Sequence, residues 1–153
     1  MELRTRLQAS TKEAMKAKDS ARLSTLRLIG AAIKDREIAA RGGEGDETLN
    51  EGDLVLILSR MVKQRQESAK AYEEGGRLEL AAKEEEEIRI IQEFLPRQMN
   101  EEETRAAIDA AIAEIGAEGI RDMGRVMATL KDRHAGQMDF GAVGPAVKAR
   151  LLA

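Results

Sequence analysis

The apolar residues of this chain return every three or four positions almost from end to end, and that spacing constrains the fold more than any other feature. It is the period of an α-helix with one buried face. Leu3, Leu7, Ala14 and Met15 predict a first helix over about residues 2–18, facing inward on that stripe. Asp19-Ser20 offers a cap for a second helix, whose buried stripe is Leu23, Leu26, Ile29 and Ile33 and which Gly42-Gly43 ends. Gly45 and Asp46 extend that break into a short polar loop. Asn50 with Asp53 forms an approximate capping box for a third helix carrying Leu54, Leu58, Met61, Val62 and Ala69, stopped by Gly75-Gly76. A fourth runs over about residues 78–94, burying Leu80, Ile88 and Ile91, and Pro96 closes it. The short break between the third and fourth helices makes them an antiparallel hairpin.

Beyond Pro96, Asn100 with Glu103 is a stronger capping box. It opens a helix with Ile108, Ala111, Ile112 and Ile115 inside, ending at Gly116. A sixth helix carries Met123, Val126, Met127 and Leu130 and stops before Gly136. Asp139 caps a seventh with Val143, Val147 and Leu151 inside, and Pro145 is placed near its beginning, where a missing donor does least harm. Gly124 reads as a point of close helix approach. The expectation is an all-α chain: a four-helix domain of two hairpins over residues 1–96, then a three-helix domain over residues 97–153.

Composition narrows the functional classes. There is no cysteine, which excludes thiol nucleophiles, disulfides and thiolate metal sites and fits a reducing compartment, read here as the cytoplasm. No apolar run approaches a membrane span and no signal-peptide pattern opens the sequence. Tyr72, Phe94 and Phe140 are the only aromatic residues, too few for base-stacking modules or aromatic-lined pockets. The net charge of −3 conceals two basic ends around an acidic middle. Residues 1–41 hold ten Lys/Arg against five Asp/Glu, residues 120–153 six against three, and residues 78–119 four against twelve. A polyanion can therefore be held only locally.

Individual candidates for chemistry fall short. His134 is the only histidine, has no cysteine to join it, and sits in the last turn of a helix, where a cation suits the dipole. Glu84, Glu85, Glu86 and Glu87 are consecutive, so on a helix they fan out by about 100° each and cannot converge on one ion. Ser24, Thr25, Ser59 and Ser68 lie mid-helix, outside any nucleophile or phosphate-loop motif. Met123 and Met127 complete a core face beside Val126 and Leu130. The basic residues retain functional weight. Arg27, Lys34 and Arg41 form one stripe on the second helix, and Arg60, Lys63 and Lys70 another on the third. Lys131, Arg133, Lys148 and Arg150 flank the turn around Gly136, with Arg125 one helix face away. Such lines can track a phosphate backbone, although Lys63 with Glu67 and Lys70 with Glu74 also suit ordinary solvated helix pairs.

Taken in order, Arg22-Leu23-Ser24-Thr25-Leu26-Arg27-Leu28, Lys63-Gln64-Arg65, Phe94-Leu95-Pro96, Met123-Gly124-Arg125-Val126-Met127, Gly136, Asp139 and Val147-Lys148 with Leu151 make the chain resemble the YqeY family. That family is related to the tail domain of the B subunit of glutamine-dependent tRNA amidotransferases (GatB). The resemblance runs nearly end to end. It implies an all-helical two-part fold, the last three helices corresponding to a tail that helps hold the tRNA body. It also implies any carbon–nitrogen ligase association by relation only, since no amidase serine–lysine signature, nucleotide site or zinc-binding segment is visible. Around the penultimate turn relatives often read Lys-Gly-Lys/Arg-Ala-Asp/Asn, where this chain has Ala135-Gly136-Gln137-Met138-Asp139, two cations short.

The reading expected from the sequence is thus a non-catalytic accessory module without metal or cofactor. Its expected partner is tRNA or a tRNA-processing complex, contacted through Arg125, Lys131, Arg133, Lys148 and Arg150. Arg27, Lys34, Arg60 and Lys63 provide a second surface. The alternative is a protein–protein adaptor docking a basic partner on Glu84–Glu87.

Overall fold

The computed structural model describes residues 2–41, short of the Arg41 side chain, and 49–153. The expected break at Gly42-Gly43, with Gly45 and Asp46, lies outside the described residues. Those residues form two compact units, Met1–Pro96 and Arg97–Ala153. The first carries four helices: α1 (Leu3–Ala17), α2 (Ser20–Arg41), α3 (Glu51–Glu74) and α4 (Leu78–Gln92). The second carries three: α5 (Glu101–Ile115), α6 (Met123–His134) and α7 (Phe140–Leu152). None of the described helices is long and apolar enough to cross a membrane.

In the first unit the helix ends are set by local chemistry. Lys18 takes a left-handed conformation (φ 55°) to end α1, and the Asp19 side chain then accepts the Arg22 N–H at 3.1 Å to begin α2. At the start of α3 the two-way capping box is complete: Asp53 N–H to Asn50 at 2.9 Å and Asn50 N–H to Asp53 at 3.0 Å. Gly76 (φ 74°) ends α3 with Arg77 N–H bonded to Tyr72 O and Gly76 N–H to Glu73 O, a Schellman turn that sends α4 back along α3. Ile29, Leu54, Leu58 and Ile91 are wholly buried between the helices.

Three expectations are corrected here. Met15 is 54% exposed, because α1 presents one narrow stripe to its neighbours and Ala14, about 100° round the helix, occupies it. Leu80 and Ile88 are only half-buried; Ala81, Ile90 and Ile91 form the covered face of α4. That helix ends at Gln92, and residues 93–95 tighten into a turn with bonds back to Ile90, Ile91 and Gln92. Gly30, inside α2, is exposed, and a Cβ there would meet no heavy atom within 4 Å. Glycine in a helix interior costs about 1 kcal/mol relative to alanine, and no packing among the described residues offsets it.

In the second unit the Asn100–Glu103 capping box is complete, with Glu103 N–H to Asn100 at 2.8 Å and Asn100 N–H to Glu103 at 3.2 Å. Gly116 (φ 71°) ends α5, and a 3₁₀ turn at Ile120–Asp122, absent from the sequence reading, leads into α6. Asp139 accepts the Gly141 N–H at 3.0 Å and caps α7. Val126, Leu130 and Val147 are wholly buried, with Ile108, Ala111, Met138 and Val143 around them. Met123 and Met127 pack against this cluster, as expected of a core face.

Two glycine and proline expectations change. Gly124 is exposed and a Cβ on it would meet nothing within 4 Å, so it marks no close helix approach. Pro145 lies inside α7, in its second turn, where it deprives the Gly141 carbonyl of its intrahelical donor rather than falling among the free donors of the first turn.

Candidate nucleic-acid interface

Most of the residues that carry the family resemblance hold the fold together. Arg22 bonds Glu93 at 2.6 Å, and that carboxylate raises the guanidinium pKa above its ordinary value. Arg65 is clamped to Glu87 at 2.9 Å between α3 and α4, with both side chains about one-sixth exposed. Phe94 is buried beneath the Arg6 guanidinium, 5.5 Å from the ring centre, and Arg6 also donates to Glu93 O at 2.9 Å. Thr25 is buried and donates to Ala21 O at 3.3 Å, the local helix bond expected of it. These positions shape the first unit.

The C-terminal cations separate into two kinds. Lys131 on α6 and Lys148 on α7 are exposed and have no ion pair among the described residues. Arg133 is 2.5 Å from Glu114 on α5, and Arg150 donates to both oxygens of Asp109 at 2.5 and 3.2 Å. Each hydrogen-bonded guanidinium lowers the pKa of its carboxylate below the ordinary value, and each carboxylate raises that of its arginine. Arg125 donates to Ile115 O at 3.1 Å, satisfying a carbonyl at the end of α5. Arg125 and Arg133, expected to stand available to a phosphate alongside Lys131, are exposed, and each already holds a partner on a neighbouring helix. Neighbouring helices supply their partners, which no local sequence pattern reveals.

The turn between α6 and α7 is tied down from within. Gly136 (φ 78°) is left-handed and buried, and its carbonyl accepts from the Gln98 side chain. Gln137 donates to Arg97 O at 3.2 Å, and Met99 N–H bonds Gln137 O at 3.0 Å. Of the two positions where the resemblance leads one to expect cations, Ala135 has no polar side chain and Gln137 makes an internal bond, while Met138 beside it is buried in the core. His134, the last residue of α6, is half-buried with its Nδ1 3.4 Å from Gln137 Oε1. Gln98 and Gln137 went unread in the sequence because their partners are backbone atoms about forty positions away.

Elsewhere, Arg27 borders a shallow hollow of about 350 Å³ with Ser24 and Leu28. Lys34 borders a larger groove between α1 and α2. Arg60, Lys63 and Lys70 are exposed on α3, and Lys63 has a partner. Of the acidic run, Glu87 is taken by Arg65, Glu84 is half-buried, and Glu85 and Glu86 are exposed. Among the described residues no three His, Asp or Glu side chains come together as a metal-binding group. The second unit also holds a cleft of about 740 Å³ between α5 and α7, floored by Met99, Ile108, Met138 and Val143, which the sequence did not announce.

A four-helix unit followed by a three-helix unit, joined after Pro96 and bearing exposed lysines on its last two helices, defines an all-α protein of the kind expected from the sequence. The chain belongs to the YqeY-like family, whose pattern (Yqey-like protein) matches residues 4–151. It is similar to the Altered inheritance of mitochondria protein 41, mitochondrial, of Eremothecium gossypii: 33% identical over 150 residues, 96% of this chain and 79% of that protein. The protein of the same name in Vanderwaltozyma polyspora is 37% identical over 89 residues, 58% of this chain and 46% of the relative. That of Lachancea thermotolerans is 34% identical over 109 residues, 71% of this chain and 55% of the relative. The matched regions thus span only about half the length of these last two. The cytoplasmic placement expected from the sequence is overturned by these relatives, which are named as mitochondrial proteins. A lack of cysteine and of membrane spans reports on chemistry that several compartments share, so it could not identify one.

Proposed function

We propose that the protein is a non-catalytic accessory module that binds tRNA, alone or within a tRNA-associated complex, through the exposed face of α6 and α7. The observation that carries this reading is the pair of exposed lysines, Lys131 and Lys148, which have no ion pair among the described residues and stand on two of the three helices that match the amidotransferase tail arrangement. Arg133 and Arg150 stand two residues beyond them, held by Glu114 and Asp109, and contribute through their field more than through direct contact. An ammonium free of an intramolecular carboxylate can exchange its counterions for a phosphate, and that release drives binding to a polyanion. The scarcity of aromatic residues directs the interaction to the backbone of structured RNA rather than to splayed bases. Carbon–nitrogen ligase chemistry belongs to this reading by family relation alone.

The test is a titration of the purified protein into labelled total tRNA at about 50 and 200 mM salt, against a random RNA competitor. Saturable binding that prefers tRNA and weakens with salt is the expected result. No binding even at low salt, or association with a protein fraction that survives RNase and depends on Glu84–Glu87, would overturn it.

A further inference from the structure

The α1–α2 pair carries a groove that the RNA contacts proposed on α6 and α7 do not include. Leu7 and Thr11 on α1 face Leu26, Gly30, Ile33 and Ile38 on α2 across a space of about 650 Å³. From Leu26 to Ile38 the groove extends on the order of 18 Å at 1.5 Å per residue, room for about three helical turns. Its floor is aliphatic and opens toward Ile38, which is 57% exposed. Two exposed lysines, Lys12 and Lys34, stand on opposite rims with no ion pair among the described residues. The third rim cation, Arg4, is neutralised by Glu37 at 2.8 Å, so the rim retains the positive charge of the two lysines.

Gly30 is an independent observation on the same groove. It sits inside α2, where alanine is the better helix former, and the space its Cβ would fill is empty. Among the described residues no heavy atom lies where its side chain would stand. Its absence lowers one wall of the groove and lets another backbone come close to the aliphatic floor.

We infer that this groove docks an acidic amphipathic helix from a protein partner. The partner's apolar stripe rests on exposed Ile38 and on what the groove leaves open of Leu7 and Ile33, which are 8% and 6% exposed, its carboxylates stand beside Lys12 and Lys34, and its backbone passes over Gly30. This is helix-in-groove recognition, with anchors at helical spacing and charge setting the choice of partner. RNA suits the surface less well, because the floor is aliphatic and offers no aromatic side chain for a base to stack on. The inference does not depend on tRNA binding, since the variants that test it leave Lys131 and Lys148 untouched.

The probe is a labelled helical peptide of about twelve residues, with leucines on one face and glutamates flanking them, compared with the same peptide carrying lysines for glutamates. Both are titrated by fluorescence anisotropy into the full-length protein. The glutamate peptide is expected to bind saturably, at least about tenfold more tightly than the lysine peptide, with the preference reversed by Lys12→Glu combined with Lys34→Glu. Gly30→Leu fills the groove and is expected to weaken the glutamate peptide by about tenfold or more without lowering the melting temperature. Failure of the glutamate peptide to bind, equal binding of the two peptides, or indifference to Gly30→Leu would overturn the inference. So would a Gly30→Leu variant that instead loses tRNA affinity, making the groove a nucleic-acid surface, or that dissolves a dimer, making it a contact between copies.

Discussion

Replacing Lys131 and Lys148 with glutamine should change RNA binding differently from replacing Arg133 and Arg150 with glutamine, although each double variant removes the same two charges. The two ammonium groups are exposed and without an ion pair among the described residues, whereas the two guanidiniums already sit 2.5 Å from Glu114 and Asp109. Each phosphate contact adds roughly 0.7–0.9 to the slope of log affinity against log salt. Losing two such contacts should lower the slope by about 1.4–1.8, a factor of about 7–12 between 50 and 200 mM salt. The arginine double should lose less than about half as much slope, because a phosphate would first have to displace a carboxylate. Overall affinity should fall in both, since the long-range field weakens equally; the slope separates contact from field. The assay is a filter-binding or anisotropy titration with tRNA at four or more salt concentrations. Thermal melts provide the folding control, and both variants should melt near the parent because exposed ion pairs contribute little. Equal slope losses in the two doubles would refute the reasoning, showing that net charge acts without defined lysine contacts.

Leu130→Ala should remove an almost fully buried side chain (1% exposed) from the small second core and cost about 2–5 kcal/mol, enough to melt that unit selectively in hydrogen-exchange measurements. Gly124→Ala should stabilise α6 by up to about 1 kcal/mol in chemical denaturation and leave tRNA affinity unchanged, as its Cβ enters empty space. Glu103 is held at a pKa of about 2, below its ordinary 4.5, chiefly by the Arg97 guanidinium and then by the Asn100 N–H. A carboxylate depressed in the folded state contributes its full stabilisation above pH 4.5 and loses it as the pH falls toward 2. Glu103 should therefore contribute a small part of the fall in melting temperature across that window, small because the Arg97 pair is solvent-screened, and Glu103→Gln should flatten the fall slightly; a variant as acid-sensitive as the parent would exclude Glu103 as a source.

Much of the fold was legible because its signals are local. The capping boxes at Asn50 and Asn100 join residues three apart, and the stops at Gly75-Gly76 and Gly116 need only a left-handed residue after the last turn. Apolar periodicity then marked out, in order, the seven α-helices of the described residues, since a helix with one buried stripe repeats within a few residues. What failed was fine placement: Met15 outside the core, Leu80 and Ile88 half-covered, Pro145 a turn deeper than expected. Periodicity names a face, but the neighbouring helix decides how wide a stripe of that face it covers.

The candidate site was legible only as a set of cations. Lys131, Arg133, Lys148 and Arg150 look alike in sequence, and packing alone distinguishes them by bringing Glu114, 19 positions from Arg133, and Asp109, 41 positions from Arg150, within bonding distance. Arg125 likewise became a cap for α5 because a 3₁₀ turn returns the chain to the Ile115 carbonyl. The groove over Gly30 exists only between two helices, so neither stripe predicts it by itself. The sequence by itself determined where helices begin, end and hide their apolar faces, because those choices are settled within a turn or two of backbone. Tertiary structure decided which of the described charges already hold an intramolecular partner, because the donors a side chain keeps open depend on what distant segment the fold sets beside it.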